Sequence, residues 1–228
     1  LKSGAGFLLE KEIAMLGMIR AKPRRPLLLI MGGAKADTKL KLVLEFMNKS
    51  EAILLGGVLA NTLLYSRGVG VGKSIVDENL AGEIKKLDVA SSRLHLPVDV
   101  LTSKSLNLPN DLAVRPAGRI PKQEFIIDIG PDTAAIFEKV IRTARMIVWN
   151  GSLGLTEIPA FKKGSLAVAR AVVESGGEKI IGGGDLVSFL TQENLIDKMT
   201  YVSTGGGSML EFLAGKELPG ITALENQS

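Results

Sequence analysis

Apolar and polar residues alternate along this chain in blocks rather than singly. Seven short apolar runs stand out: LLLIMGG at 27–33, EAILLGG at 51–57, RLHLPVDVL at 93–101, EFIIDIGP at 124–131, MIVWNGSLG at 146–154, KIIGGGD at 179–185 and TYVSTGGGS at 200–208. Segments with helical spacing separate them. Near-continuous Val/Ile/Leu runs of this length predict strands of a parallel sheet buried on both faces, with the intervening segments as its covering helices. Leu9, Ile13, Leu16 and Ile19 fall on one stripe and predict a further helix ahead of the first strand. No linker, low-complexity tract or repeat breaks the pattern. The expected fold is a single doubly wound, Rossmann-like α/β domain, a parallel sheet with helices on both faces.

In such sheets ligands bind beyond the carboxyl ends of the strands. Five of the runs end in glycine, at Gly32–Gly33, Gly56–Gly57, Gly151, Gly182–Gly184 and Gly205–Gly207. Glycine there lets a ligand approach the backbone and leaves N–H donors uncovered. One such ending is explained by strand termination alone; five on one edge predict a shared ligand crevice.

Composition narrows the classes. Hydrophobic residues make up 46% and charged residues 23%, ordinary for a globular protein. The longest apolar run, LLLIM at 27–31, is far too short to span a bilayer, and Glu10, Lys11 and Glu12 interrupt any signal-like core. No membrane association is expected, and a cytoplasmic location is, with an organelle such as a plastid as the alternative. There is no cysteine, which excludes disulfides and thiolate metal sites. The net charge is +4, yet aromatics are few and the densest basic run is KPRRP at 22–26. Nucleic acid is therefore not an expected partner, and the charge suits a small anionic ligand. The chain opens at Leu1, directly into a helical pattern, and is expected to be a piece of a longer protein.

Individual motifs point the same way. RGVGVGKS at 67–74 lacks the first glycine of a P-loop, where Arg67 stands, and reads as a loop. TGGGS at 204–208 has the order strand, glycines, helix, with Ser208 and Glu211 at capping-box spacing, and suits an anion. GGGD at 182–185 puts Asp185 at a strand end, as a helix cap or a Mg²⁺ ligand. GGAKADTK at 32–39 sets Lys35 and Lys39 on one face of a helix start, where they oppose the dipole unless an anion is bound. His95, Trp149, Met15 and Met18 read as structural. With no nucleophile–His–acid set and no His cluster, chemistry here would work by positioning and charge, as phosphoryl transfer does.

GFLLEKE, GGAKADTK, LPVDV, DIGPDT, VWNGSLG, IIGGGD and STGGGSMLEFLAGKELPG, in this order, resemble the carboxyl-terminal, nucleotide-binding half of the phosphoglycerate kinase family, over essentially the whole chain. The resemblance implies reversible phosphoryl transfer between 1,3-bisphosphoglycerate and ADP, giving 3-phosphoglycerate and MgATP. It implies that Lys35 binds nucleotide phosphate, that Lys39 steadies the transferring phosphoryl group with Gly205 and Gly206, and that Asp185 holds Mg²⁺. Glu157 would bond the ribose, and Gly56 and Gly57 would line the adenine slot. Asn150, Gly183, Gly184, Leu186, Thr204 and Gly207 would complete the nucleotide site. Residues 1–20 would be the helix joining two halves and 21–228 the nucleotide domain of a monomer.

Several positions depart from the family pattern, among them the acidic residue of GGAKADTK, which is displaced by one place. Val58 stands where a third glycine is usual, and Ile126 where glycine lies beside the purine. Ser152 replaces a proline, and Leu186 a hydroxyl residue whose bond to phosphate is worth about 1.5–3 kcal/mol. The amino-terminal domain that holds the phosphoglycerate is absent, so the chain alone is expected to bind MgADP or MgATP and to transfer phosphate poorly or not at all. The alternative is a non-catalytic nucleotide-binding or interaction module derived from that enzyme.

Overall fold

The computed structural model describes residues 6–109 and 111–225. Its helices are α1 (Phe7–Ala21), α2 (Ala36–Phe46), α3 (Gly57–Ser66), α4 (Ala81–Ile84), α5 (Pro131–Ile141), α6 (Lys163–Glu174), α7 (Gly184–Gln192), α8 (Gly207–Leu213) and α9 (Pro219–Glu225). Its strands are β1 (Leu27–Met31), β2 (Ala52–Leu55), β3 (Leu94–His95), β4 (Asp99–Ser103), β5 (Ala113–Pro116), β6 (Phe125–Ile129), β7 (Met146–Asn150), β8 (Glu178–Gly182) and β9 (Tyr201–Val202).

Six strands form one parallel sheet in the order β3-β2-β1-β7-β8-β9. The chain winds outward from β1 to β3, returns beside β1 as β7, and winds outward again to β9. That reversal is the doubly wound topology expected from the pattern. Successive residues of one strand enter different cores: Leu27, Leu29 and Met31 belong to one apolar cluster, Leu28 and Ile30 to the other. Both faces are dry, which is why the strands read as unbroken apolar runs rather than as alternating ones. One core is built with α1, α2, α3 and α8, the other with α5, α6 and α7.

Two expected members of the parallel sheet lie elsewhere. The run at 93–101 splits at Pro97, which has no N–H for a ladder. Only Leu94–His95 joins the parallel sheet, and Asp99–Ser103 becomes the centre of a second, antiparallel sheet of order β5-β4-β6. The run at 124–131 is β6 of that same sheet. Asp128 ties it to the main body: buried, it accepts from the Ser165 N–H and hydroxyl at the start of α6 and from Ile129 N–H. Burial pushes its pKa up to about 7 although these bonds favour the ionised form.

The leading helix also differs from expectation. Residues 1–5 of the expected first segment lie outside the described residues. On α1 the buried stripe is Glu12, Leu16 and Ile19, whereas Leu9 is exposed and Ile13 half-buried. Glu12 takes the inward position because Tyr201 Oη and Ser203 Oγ both donate to its carboxylate. Burial, together with the hydrogen bond to Glu12, pushes the Tyr201 phenol up to about 12. No helix among the described residues is long and apolar enough to cross a membrane.

Candidate functional site

Because every pairing in the six-stranded sheet is parallel, the loops after β1, β2, β7, β8 and β9 gather on one edge. Those nearest the reversal interlock through their backbones. Gly32 N donates to Asn150 O at 3.0 Å, Gly57 N to Leu153 O at 2.9 Å and Val58 N to Gly33 O at 3.1 Å. A Cβ on Gly32 would stand 2.0 Å from Ser152 O, and one on Gly151 2.3 Å from Gly32 O. On Gly56 it would meet Leu153 Cδ2 at 2.7 Å, and on Gly57 the Gly33 nitrogen at 2.6 Å. These glycines are required by neighbouring chain, a correction to the idea that each strand-end glycine clears room for a ligand. Gly184, Gly206 and Gly207 are different, for nothing lies within 4 Å of a Cβ built there. Gly206 has φ +49, and open space faces it.

Two depressions meet on this edge. One is polar, lined by Lys35, Lys39, Asn150, Gly183, Gly184, Asp185 and Gly205–Gly207. The other is an apolar slot between α3 and β6, lined by Gly57, Val58, Asn61, Ile75, Ile126 and Leu153, with Glu157 at its rim. Gly33, Ala34 and Asp185 wall both, so the two form one groove. Three expected residues are not brought into it. Gly56 packs beneath Leu153, Leu186 turns its side chain into the core, and Thr204 faces a separate groove beside α1. The Leu186 side chain is therefore no part of the groove wall, and only its main chain is near.

The polar end is unevenly charged. Lys35 is exposed with extended backbone at the start of α2, whereas Lys39 is only 5% exposed. The two ammonium groups therefore do not share one solvent face, as helix spacing had suggested. Lys39 Nζ donates to Lys35 O at 3.2 Å, and burial holds its pKa below the usual lysine range against the pull of Asp185 and Asp37. Asn150 is buried, and its Nδ2 has no hydrogen-bond partner among the described residues. An unpaired buried donor costs about 1–3 kcal/mol, which an anionic oxygen in the groove would offset.

Asp185 lies in the first turn of α7 without capping it, exposed, and its carboxylate accepts no hydrogen bond among the described residues. No group of three or more His, Cys, Asp or Glu side chains able to hold a metal occurs among the described residues. A cation here would take one carboxylate and fill its shell with ligand oxygens and water, the coordination Mg²⁺ adopts with nucleotides. The expected capping box does not form: Gly206 caps α8, Ser208 N donates to Gly205 O at 2.8 Å, and Glu211 pairs with Lys216.

Sequence reasoning passed over three groups. Glu12 sits 3.4 Å from a Cβ position on Gly205 and fixes the base of the glycine loop, its only signal being one acid on an otherwise apolar stripe. Ser74 and Ile75, within the loop that fails as a P-loop, line the slot. Asn61 also lines it, and helical spacing from Gly57 was its only signal.

Fold and groove together define the class: a doubly wound α/β domain whose strand-end groove suits an elongated ligand with one flat apolar end and one anionic end. A family model described as phosphoglycerate kinase matches residues 1–216, and this chain belongs to that family. The phosphoglycerate kinase of Rubrobacter xylanophilus is 41% identical over 98% of this chain and 57% of its own length. That of Thermomicrobium roseum is 37% identical over 100% of this chain and 59% of its own. The solved phosphoglycerate kinase of Coxiella burnetii superposes with a TM-score of 0.89 at 38% identity, over 98% of this chain and 58% of that one. That of Pyrococcus horikoshii gives 0.82 at 30% identity, over 97% and 57%. The chain thus spans less than three fifths of the length of these relatives.

Proposed function

We propose that this chain is the nucleotide-binding half of a phosphoglycerate kinase, with residues 1–20 as the helix that joins the halves and 21–228 as the nucleotide domain. The observation that carries this reading is the continuity of the groove from apolar slot to cationic end, in a chain of this family. The base lies in the slot against Gly57, Val58, Ile126 and Leu153, with Glu157 at the ribose. The phosphates run past Gly33 and Ala34 to Lys35, Lys39, the free Asn150 Nδ2 and the amides of Gly206 and Gly207, the Gly205 N–H being donated to Ser203 Oγ at 3.2 Å. Asp185 holds Mg²⁺, which when bound neutralises charge on the phosphate oxygens.

The reaction is reversible phosphoryl transfer between 1,3-bisphosphoglycerate and ADP, giving 3-phosphoglycerate and ATP. Such transfer needs positioning and charge rather than a protein nucleophile. Lys39, buried and poor in partners, meets the charge that develops on the moving group, and the open glycines let that group reach main-chain N–H donors. The phosphoglycerate requires the remaining part of the enzyme, so this chain acts as a cytoplasmic, monomeric nucleotide domain with little or no turnover alone. A second reading, a non-catalytic module of the same descent, is favoured by Val58 and Ile126, whose side chains line the slot.

Calorimetric titration with MgADP, followed by turnover with and without a separately supplied amino-terminal half, tests both. Binding with turnover only on addition of the half supports the first reading. Binding without turnover in either case supports the second. Full activity from this chain alone, or no binding, refutes the proposal.

A further inference from the structure

Few side-chain polar atoms line the apolar slot. Glu157 and Asp185 are exposed at its edge, and the Ser74 hydroxyl is spent, donating to Val71 O and accepting from Ile126 N at 2.8 Å. Asn61 is different. It is 7% exposed, one helical turn beyond Gly57 on α3, and its Nδ2 donates to Ile75 O at 3.4 Å. A main-chain carbonyl can only accept, so this bond decides which way the amide is turned. The Oδ1 acceptor is left without a donor among the described residues, in a wall otherwise made by Val58, Ile75, Ile126 and Leu153.

Resting on the reading that this slot receives a nucleobase, we propose that Asn61 determines which base is accepted, its Oδ1 taking a hydrogen bond from an exocyclic amino group. A 6-aminopurine presents a donor at that edge and a 6-oxopurine an acceptor. The amino base satisfies Oδ1. The oxo base sets two acceptors against each other in an apolar wall, where the loss is not made good by solvent. Asn61 is held for this task from both sides, by α3 beneath it and by the Ile75 carbonyl on its amino group.

The test compares MgADP with MgIDP, which differ at the purine 6 position while sharing ribose and phosphates. The unaltered chain is expected to bind MgADP about tenfold more tightly, one hydrogen bond's worth of affinity. Purine riboside diphosphate, which carries only hydrogen at that position, is expected to fall between them. In Asn61→Leu the preference for MgADP over MgIDP is expected to vanish, with the loss on the MgADP side. Equal binding of the two by the unaltered chain overturns this inference while leaving the nucleotide reading in place, as does a preference that survives in Asn61→Leu. Failure of all three nucleotides to bind overturns the parent reading and this one with it. If Asn61→Leu does not fold, equal affinity for MgADP and MgIDP in the unaltered chain still overturns the inference, and Asn61→Asp, which keeps an acceptor at that position, is expected to retain the preference.

Discussion

At the ends of β1, β2 and β7, glycine lets one loop close upon another, while at the starts of α7 and α8 it faces empty space. In sequence the two groups look the same, short glycine clusters after apolar runs. In the fold, Gly32, Gly56, Gly57 and Gly151 have neighbouring backbone or side chain where a Cβ would go, and Gly184, Gly206 and Gly207 have nothing within 4 Å. The first group builds the groove and the second opens onto it. A glycine cluster is thus evidence of a ligand only where the folded chain itself supplies no neighbour.

The largest test of this contrast is Gly57→Ala. Gly57 has φ +58, and its Cβ would strike Gly33 N at 2.6 Å and Gly33 O at 2.8 Å. Backbone strain and an unavoidable clash together are expected to cost about 3 kcal/mol or more, read as a lowered urea midpoint. A stability close to that of the unaltered chain would show that the interlocked loops yield easily.

Lys39→Met comes next and moves binding rather than folding. Its loss is expected to weaken MgADP binding about ten- to a hundredfold while leaving adenosine binding unchanged, since the slot is untouched. Stability is expected to hold or rise, because a buried cation with a single 3.2 Å bond is removed. The same lysine gives the unaltered chain a pH signature. Its folded pKa lies below its unfolded value of 10.5, so between the two the unfolded chain binds more protons. Stability from this group therefore rises with pH through that window and is lost as pH falls, a component Lys39→Met should lack.

The smallest expected effect is the sharpest discriminator. Gly207→Ala adds a methyl in open space at the first position of α8 and is expected to change stability by no more than about 0.5 kcal/mol. Under the proposed function it lowers MgADP affinity by about tenfold. Destabilisation equal to that of Gly57→Ala would erase the distinction between the two groups.

The parallel sheet, its two dry faces and the ligand edge were legible because burial on both faces leaves a signature that local pattern carries: apolar runs, most of them ending in glycine. LLLIM at 27–31 and MIVWN at 146–150 became β1 and β7. The clustering of Lys35, Lys39, Asp185 and the glycines at 205–207 on one edge followed from parallel pairing alone. Glu12 was not legible, because its partners Tyr201 and Ser203 lie nearly the whole chain away.

What the amino-acid order determined by itself was therefore most of the strands, though neither β5 nor the split of 93–101 into two, and the edge on which ligand chemistry gathers, since both depend on short-range periodicity and strand direction. What tertiary structure alone decided was membership and facing. It assigned 124–131 to a second sheet, turned Leu186 inward and Thr204 aside, buried Lys39 while leaving Lys35 in solvent, and separated the glycines that make room from those that have none. These outcomes depend on which atoms of distant segments occupy the same few ångströms, and no local pattern encodes that.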